Sequence, residues 1–482
     1  MLWVLILLAL FIPQKAWGEI VGRVVDYYTE KPIEGAIVTS GNDVEWTDAQ
    51  GLFTMKSKME KIAVRAHGYL RKEQVVNPPQ EVRPFPCNPK AIYLISVNNL
   101  EWTDAQGLFS MKSKGRKIAL SPPRYLPMEQ FNCIPKEIKL IPFSPKALYL
   151  SFYGIGSKMI RESALNLLQE TELNALVIDV KGDRGIITYK SSIPLASEIG
   201  AQKIITVRDM PGLIKSLKER GIYTIARIVT FKDNPLALEK PDLAVKTQGG
   251  EVWRDRENLA WVDPFKKEVW DYNINIAVEA AQLGFDEIQF DYVRFPDTRA
   301  PQFSMPNNEE NRVKAISGFL RDAKKRLTPY NVFLAADIFG YVDWNLNDTD
   351  IGQKLEELAP HLDYISPMLY PSGFQYGIPG YRIPVAFPYE IVFRSLKRAQ
   401  ERTNLSSVRF RPWLQAFRDY AFDRRNFSEK EIMDQINAAE NFGSNGWMLW
   451  NPRNAYRAAG LKKESQWGKI IFPSLAWDDR KG

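Results

Sequence analysis

From residue 147 onward the chain repeats one pattern, a short apolar, β-branched run followed by a stretch with apolar residues at helical spacing. The runs are "ALYLSFYG" at 147, "NALVIDVKGD" at 174, "YTIARIVTF" at 223, "FDEIQFDYVRFP" at 285, "NVFLAADIFGY" at 331, "LDYISPMLYPS" at 362, "VRFRPWLQAF" at 408 and "GWMLWNP" at 446. Between them, segments such as "IRESALNLLQET", "MPGLIKSLKERG" and "AISGFLRDAKKRL" read as amphipathic helices. Eight βα units in roughly 330 residues have the count and size of a (β/α)8 TIM barrel, an α/β fold. An open doubly wound sheet would bring a Gly-rich phosphate turn after its first strand. "FYGIGS" at 152 stops short of that fingerprint and reads as a turn.

The fourth run shows what the barrel is for. Alternation puts Glu287, Gln289 and Asp291 on one face and Ile288, Phe290 and Tyr292 on the other. A polar face inside a protein is either satisfied by buried partners or meets a ligand. Active sites of TIM barrels sit at the C-terminal strand ends, so the last inward residues are the informative ones. These are Asp179 and Lys181 on the second strand, Asp291 on the fourth and Asp337 on the fifth. Glu287 lies deeper and is expected to form a structural ion pair with Arg227 of the third strand, with Gln289 bridging the layers.

Ahead of the barrel the pattern changes to β-rich runs broken by Pro and Gly, as in "VGRVVDYYTEKPIEGAIVTSGND". "EWTDAQGLFTMKSK" at 45 returns as "EWTDAQGLFSMKSK" at 101, and "PKAIYL" at 89 returns as "PKALYL" at 145, at one constant offset. A contiguous block is therefore duplicated. The second copy lacks the segment that precedes the first, and is expected to pair with it or to act as a spacer. Of the two duplicated strands, "KALYLSF" is favoured as the first barrel strand because it runs directly into the helix at 157. Residues 20–86, with "GRVVD", "EKPIEGAIV", "TDAQGLF" and "HGY", resemble the carboxypeptidase regulatory-like β-sandwich domain. That resemblance implies a small accessory or interaction module without catalysis, and the expected partner of this β-domain is the cell envelope.

Charge and targeting narrow the setting. The formal charge of +7 is scattered over helix faces, with no basic block interleaved with aromatics, so no nucleic acid partner is expected. The apolar run Leu2–Ile12 is too short to span a bilayer, breaks at Pro13, and is followed by Ala16 and Gly18 at signal-peptidase spacing. The expected organisation is a signal peptide at 1–18, the β-sandwich at 19–86, the partial duplicate or spacer at 87–145 and the barrel at 146–477, in a secreted or periplasmic protein. Export permits a disulfide between Cys87 and Cys133, and two free thiols fit the sequence equally well.

The two histidines, His67 and His361, argue against a His-rich metal site and a Ser-His-Asp triad. No cofactor is called for, and carboxylates are left to do acid–base work. Neighbouring strands stand about 4.8 Å apart, so Asp291 and Asp337 can approach the roughly 5–5.5 Å separation of a retaining glycosidase. Asp291 is the expected nucleophile and Asp337 the general acid/base, its pKa raised by burial and by Asp291. Tyr292, Tyr370, Trp413 and Trp450 near the strand ends, with Trp253 and Trp261 in the loop after the third strand, offer flat faces to sugars.

"ARIVTFKD", "WVDP", "GFDEIQFDYVRFPD", "ADIFGY", "IGQ", "DYISPMLYPS", "RPWLQ" and "GWMLWN" resemble a family described as putative glycosyl hydrolases with a TIM-barrel domain, over residues 147–460. The resemblance implies a polysaccharide or oligosaccharide substrate. Its motifs and the strand tips together give the substrate-binding candidates Asp179, Lys181, Trp261, Asp263, Tyr292, Arg294, Tyr370, Trp413, Gln415, Trp450 and Asn451. One position departs from the family pattern, Gly373 standing where a His follows Tyr-Pro-Ser. Two other functions fit the same residues. One is a non-catalytic carbohydrate-binding barrel, the other a hydrolase with a divalent metal on Asp179, Asp291 and Asp337.

Overall fold

A computed structural model describes residues 18–57, 61–75, 110–113, 116–119 and 136–463. The apolar leader, Cys87 and Cys133 lie outside these residues. In chain order the strands are β1 (Gly18–Asp26), β2 (Ile37–Ser40), β3 (Asp43–Trp46), β4 (Leu52–Ser57), β5 (Lys61–Arg65), β6 (Lys72–Val75), β7 (Ser110–Ser113), β8 (Arg116–Ala119), β9 (Lys136–Leu140) and β10 (Lys146–Leu150). They continue with β11 (Ala175–Lys181), β12 (Tyr223–Val229), β13 (Glu287–Asp291), β14 (Phe333–Phe339), β15 (Tyr364–Met368), β16 (Trp413–Gln415) and β17 (Trp447–Trp450).

The N-terminal region is two small sheets, β4-β1-β9 and β3-β2-β5-β6, closed over Val24, Val38, Phe53, Ile62, Val64 and Ile138. The "TDAQG" signature makes its sharpest turn. The Thr47 hydroxyl accepts from Ala36 N (2.8 Å) and donates to Ile33 O (2.6 Å), while Asp48 Oδ1 accepts from Gln50 N and Leu52 N. Gly51, at φ +74, lies so near Val24 O that a Cβ would stand 2.4 Å from it, so only glycine fits. β9 comes from the duplicated block, yet it pairs in parallel with β1, Gly22 opposite Lys136 through Asp26 opposite Leu140. The duplicate thus completes the sheet of the first copy, and β7 and β8 form a separate hairpin.

β10 to β17 close into a parallel eight-stranded barrel in chain order, and "KALYL" is its first strand. Helices such as Lys158–Glu170, Lys267–Gln282, Glu309–Leu327 and Pro388–Thr403 cover it. Strand parity follows the alternation: Ile288 and Phe290 pack under the helices, while Ala147, Tyr149, Val177, Ile225, Ala335 and Met448 fill the interior. The β-sandwich sits on the N-terminal end of this barrel. Arg65 Nη1 pairs with Asp363 Oδ2 (3.1 Å), Gly68 N donates to Tyr364 Oη (3.2 Å), and Asn331 Nδ2 donates to Thr39 Oγ1 (3.1 Å). The opposite end, where strands point their C-termini, is left clear. Among the described residues no helix is long and apolar enough to cross a membrane.

Candidate active site at the barrel mouth

The C-terminal ends of β11 to β14 converge on one buried guanidinium. Arg227 Nη1 donates to Asp179 Oδ1 (2.6 Å) and Nη2 to Asp183 Oδ1 (2.8 Å). Nη2 and Nε both donate to Asp291 Oδ2 (2.6 and 2.9 Å). Three carboxylates therefore share one positive charge. The guanidinium carbon stands 5.3 Å from the Tyr149 ring centre and 4.9 Å from that of Trp450, and those rings stack 3.9 Å apart. The Tyr149 hydroxyl and Phe152 N donate to Asp179 Oδ2 (2.8 and 3.0 Å). Burial raises the Asp179 carboxyl to about 6, against the pull of Arg227.

Asp291 ends β13, and the next residue bends the chain. Tyr292 takes φ +48, a left-handed conformation that bulky side chains rarely adopt, and its N–H turns back to Asp291 Oδ1 (2.6 Å). Asp337 stands level with Asp291 on the neighbouring strand, because Phe290 faces Ala336 in the β13–β14 register. Its Oδ1 accepts from Trp413 Nε1 (2.7 Å), and its Oδ2 is buried without a partner. Burial first, then the Asp291 charge, push the Asp337 carboxyl well above the usual range. Both favour its protonated form. The mouth thus pairs an arginine-bound carboxylate with a carboxylic acid at the same level.

Other expected site residues fall into two groups. Tyr292, Tyr370 and Trp450 are partly exposed at the mouth. Trp413 is buried beneath it, so it positions Asp337 and offers no open face. Trp261 is buried and donates its Nε1 to Asp255 Oδ2 (2.9 Å); Asp263 accepts from Phe265 N and Ser304 N (3.0 and 2.7 Å). Gln415 accepts from Ser372 N (3.0 Å) and donates to Ser372 Oγ (2.7 Å), and Asn451 Nδ2 donates to Ala416 O (2.7 Å). These four anchor loops. At Gly373 a Cβ would meet nothing nearer than 3.9 Å, so a larger side chain fits there.

Two expectations need correction. Asp179 and Lys181 do not share a face, because a bulge between them breaks the register with β12. Lys181 instead points into the helix layer, where its Nζ bonds Asp233 Oδ2 (2.6 Å) and Asn273 Oδ1 (2.7 Å). Nor does Arg227 pair with Glu287. The β12–β13 register sets Arg227 opposite Gln289, one layer higher, and Glu287 Oε2 accepts from Arg411 Nη1 (2.5 Å) and Tyr223 Oη (3.0 Å). Gln289 Nε2 donates to Ser366 Oγ (3.1 Å) between the layers. Sequence reasoning missed Asp183, whose side chain is 42% exposed; its signal was its place in "KGDRG", just past a strand tip. A cavity of about 980 Å³ opens beside the mouth, lined by Thr298, Phe303, Met305, Asn307 and Asp350, and contains none of these carboxylates.

A family model described as "Putative glycosyl hydrolase domain" matches residues 147–456. Among solved structures, a hypothetical protein from Ruminiclostridium thermocellum is 41% identical over 39% of this chain and 96% of its own, with a TM-score of 0.36. The glycoside hydrolase domain of PgaB (BpsB) from Bordetella bronchiseptica is 14% identical over 67% of this chain and all of its own (100%), with a TM-score of 0.48. A catalytic domain of an Ostrinia furnacalis Group II chitinase is 10% identical over 64% of this chain and 90% of its own, with a TM-score of 0.39. No curated protein sequence matches the chain.

Proposed function

The chain belongs to the family described as "Putative glycosyl hydrolase domain", and from that premise we propose that it is an exported hydrolase of a cell-wall or extracellular polysaccharide, working by a two-carboxylate, retaining mechanism. One observation carries this reading: Asp337, whose protonated form burial favours, stands level with the Arg227-bound Asp291 on the adjacent strand. Asp291 attacks the anomeric carbon while Asp337 gives its proton to the departing glycosidic oxygen. Asp337 then takes a proton from the water that releases the sugar from Asp291. Trp413 holds the acid by its indole N–H, and the Tyr149–Trp450 stack supports the sugar beneath. Asp337 Oδ2 is covered, and the partly exposed Tyr370 lies near enough to feel the charge of both carboxyls.

Arg227 already stands between Asp179 and Asp291, where a bridging divalent cation would have to sit. That arrangement favours carboxylate chemistry over the metal-dependent alternative. The β-sandwich, docked at the far end, leaves the mouth free and serves as the envelope-associated module.

Reducing-end release from a panel of bacterial and plant polysaccharides tests the reading. Release by the full chain, absent in Asp291→Asn, supports it, and early products with the starting anomeric configuration support retention. Equal release by both proteins removes Asp291 from the chemistry. Inverted product removes the covalent step.

A further inference from the structure

Seven lysines and arginines are buried among the described residues: Arg65, Lys181, Arg227, Lys232, Arg294, Arg312 and Arg411. Six of them have a carboxylate within ion-pair distance. Arg294 has none. Its side chain makes a single hydrogen bond, from Nη1 to the carbonyl of Phe295 (3.0 Å), although a guanidinium carries five N–H donors. What holds it is aromatic: its central carbon lies 5.0 Å from the Trp261 ring centre, 5.1 Å from that of Tyr292 and 4.6 Å from that of Phe339. Those rings recover part of the dehydration cost. They accept no in-plane hydrogen bond, so the fork of the guanidinium stays unmatched.

Its position gives that vacancy a meaning. Tyr292 follows Asp291, and Phe339 lies two residues beyond Asp337 on the same strand, so Arg294 stands between the tips of the two strands that carry the reacting pair. The mouth beside it holds three carboxylates on one guanidinium. An acidic ligand entering there needs a positive charge of its own to meet. A neutral sugar can return hydrogen bonds from its hydroxyls but no opposite charge, whereas a carboxylate returns both.

Resting on the glycoside hydrolase reading, we propose that Arg294 receives a carboxylate carried by the substrate, so that the enzyme takes an acidic polysaccharide. A planar carboxylate matches the guanidinium fork. It can belong to a uronic acid ring or to a lactyl ether on an amino sugar, and both present the same group.

Calorimetric binding to the full chain in the Asp291→Asn background separates these cases. The probes are a uronic acid tetrasaccharide, a lactyl-bearing glycan tetrasaccharide and the carboxyl-reduced derivative of each. One acidic probe is expected to bind about 10–100-fold more tightly than its reduced form, and Arg294→Gln to remove that difference. Arg294→Lys, which keeps the charge and loses the fork, is expected to fall between them. Whichever acidic probe binds identifies the source of the carboxylate. Binding that survives both carboxyl reduction and Arg294→Gln overturns the proposal, as does failure of both acidic probes to bind. The reduced probes test the unmodified arginine, so the answer does not depend on the Arg294 variants folding. Reducing-end release by the wild-type chain is measured in parallel. Arg294-dependent binding without release removes the hydrolase reading and leaves the carboxylate site, whereas indifferent cleavage of neutral and acidic polymers does the reverse.

Discussion

At the closed end of the barrel one carboxylate is ringed by cations, and at the mouth one cation is ringed by carboxylates. Asp363, fully buried where the β-sandwich docks, has Arg65 Nη1 at 3.1 Å and Lys324 Nζ at 2.8 Å, with the ring of His67, whose pKa burial lowers, at 3.4 Å. Burial works to raise its carboxyl, but Arg65 and Lys324 outweigh burial and hold it well below the usual range. Arg227 faces Asp179, Asp183 and Asp291, and a fourth carboxyl, Asp337, finds only an indole N–H. The same ingredients in opposite proportion give opposite chemistry. Surplus cations favour the ionised form of an acid and join two domains, whereas burial among surplus acids favours a proton on one of them.

The largest expected effect is on catalysis at the mouth. Asp291→Asn should lower kcat/KM by about 10³-fold or more, roughly 4 kcal/mol of transition-state stabilisation. Its unfolding midpoint in urea should stay near that of the wild type, because Arg227 keeps two carboxylates.

At the closed end the balance reverses, with stability lost and chemistry kept. Asp363→Asn strands a buried arginine and should cost about 3–5 kcal/mol of unfolding free energy at neutral pH. Activity per folded molecule should be unchanged.

The sharpest contrast is with Asp337→Asn followed over pH. Asp337 has a raised folded pKa, so its contribution is full below the unfolded value of about 4 and declines as pH climbs toward the folded value. Asp363 has a depressed folded pKa, so its contribution is present above about 4 and is lost as pH falls. Relative to wild type, Asp337→Asn should therefore gain stability as pH rises above about 4, while Asp363→Asn should lose stability as pH rises toward about 4 and level off above it. Urea titrations at several pH values check both slopes, and parallel slopes would dissolve the contrast. In activity, Asp337→Asn should still lose about 10²-fold or more.

The smallest effect concerns Asp179, raised to about 6. Activity should fall as pH drops through about 6, when Asp179 takes a proton and its bond to Arg227 weakens. Asp179→Asn should remove that limb from the pH profile and lower activity at neutral pH by less than about 10-fold.

The barrel was legible because each of its eight strands carries its own apolar run, and parity alone sent Glu287, Gln289 and Asp291 inward. Parity says nothing about the stagger between strands. Arg227 was thus assigned to Glu287, one layer too low, while the true partner, Arg411, reaches it from just ahead of β16. A bulge is equally silent in the sequence, and it turned Lys181 outward. The motif residues Trp261, Asp263, Gln415 and Asn451 carried no mark separating loop anchors from sugar contacts. That distinction lies in where their hydrogen bonds go.

The parallel pairing of β9 with β1 has a consequence for how this chain emerges from the ribosome. The first strand of the sandwich is made early, but its neighbour arrives only with residues 136–140, immediately ahead of the barrel's first strand. Until then the edge of β1 has open backbone donors and acceptors, the kind of edge that recruits other chains. The accessory domain cannot close as an early, independent unit, and the contact it waits for is distant along the chain and therefore slow to form. A chain truncated before residue 136 should leave that edge of β1 unpaired and be prone to aggregate.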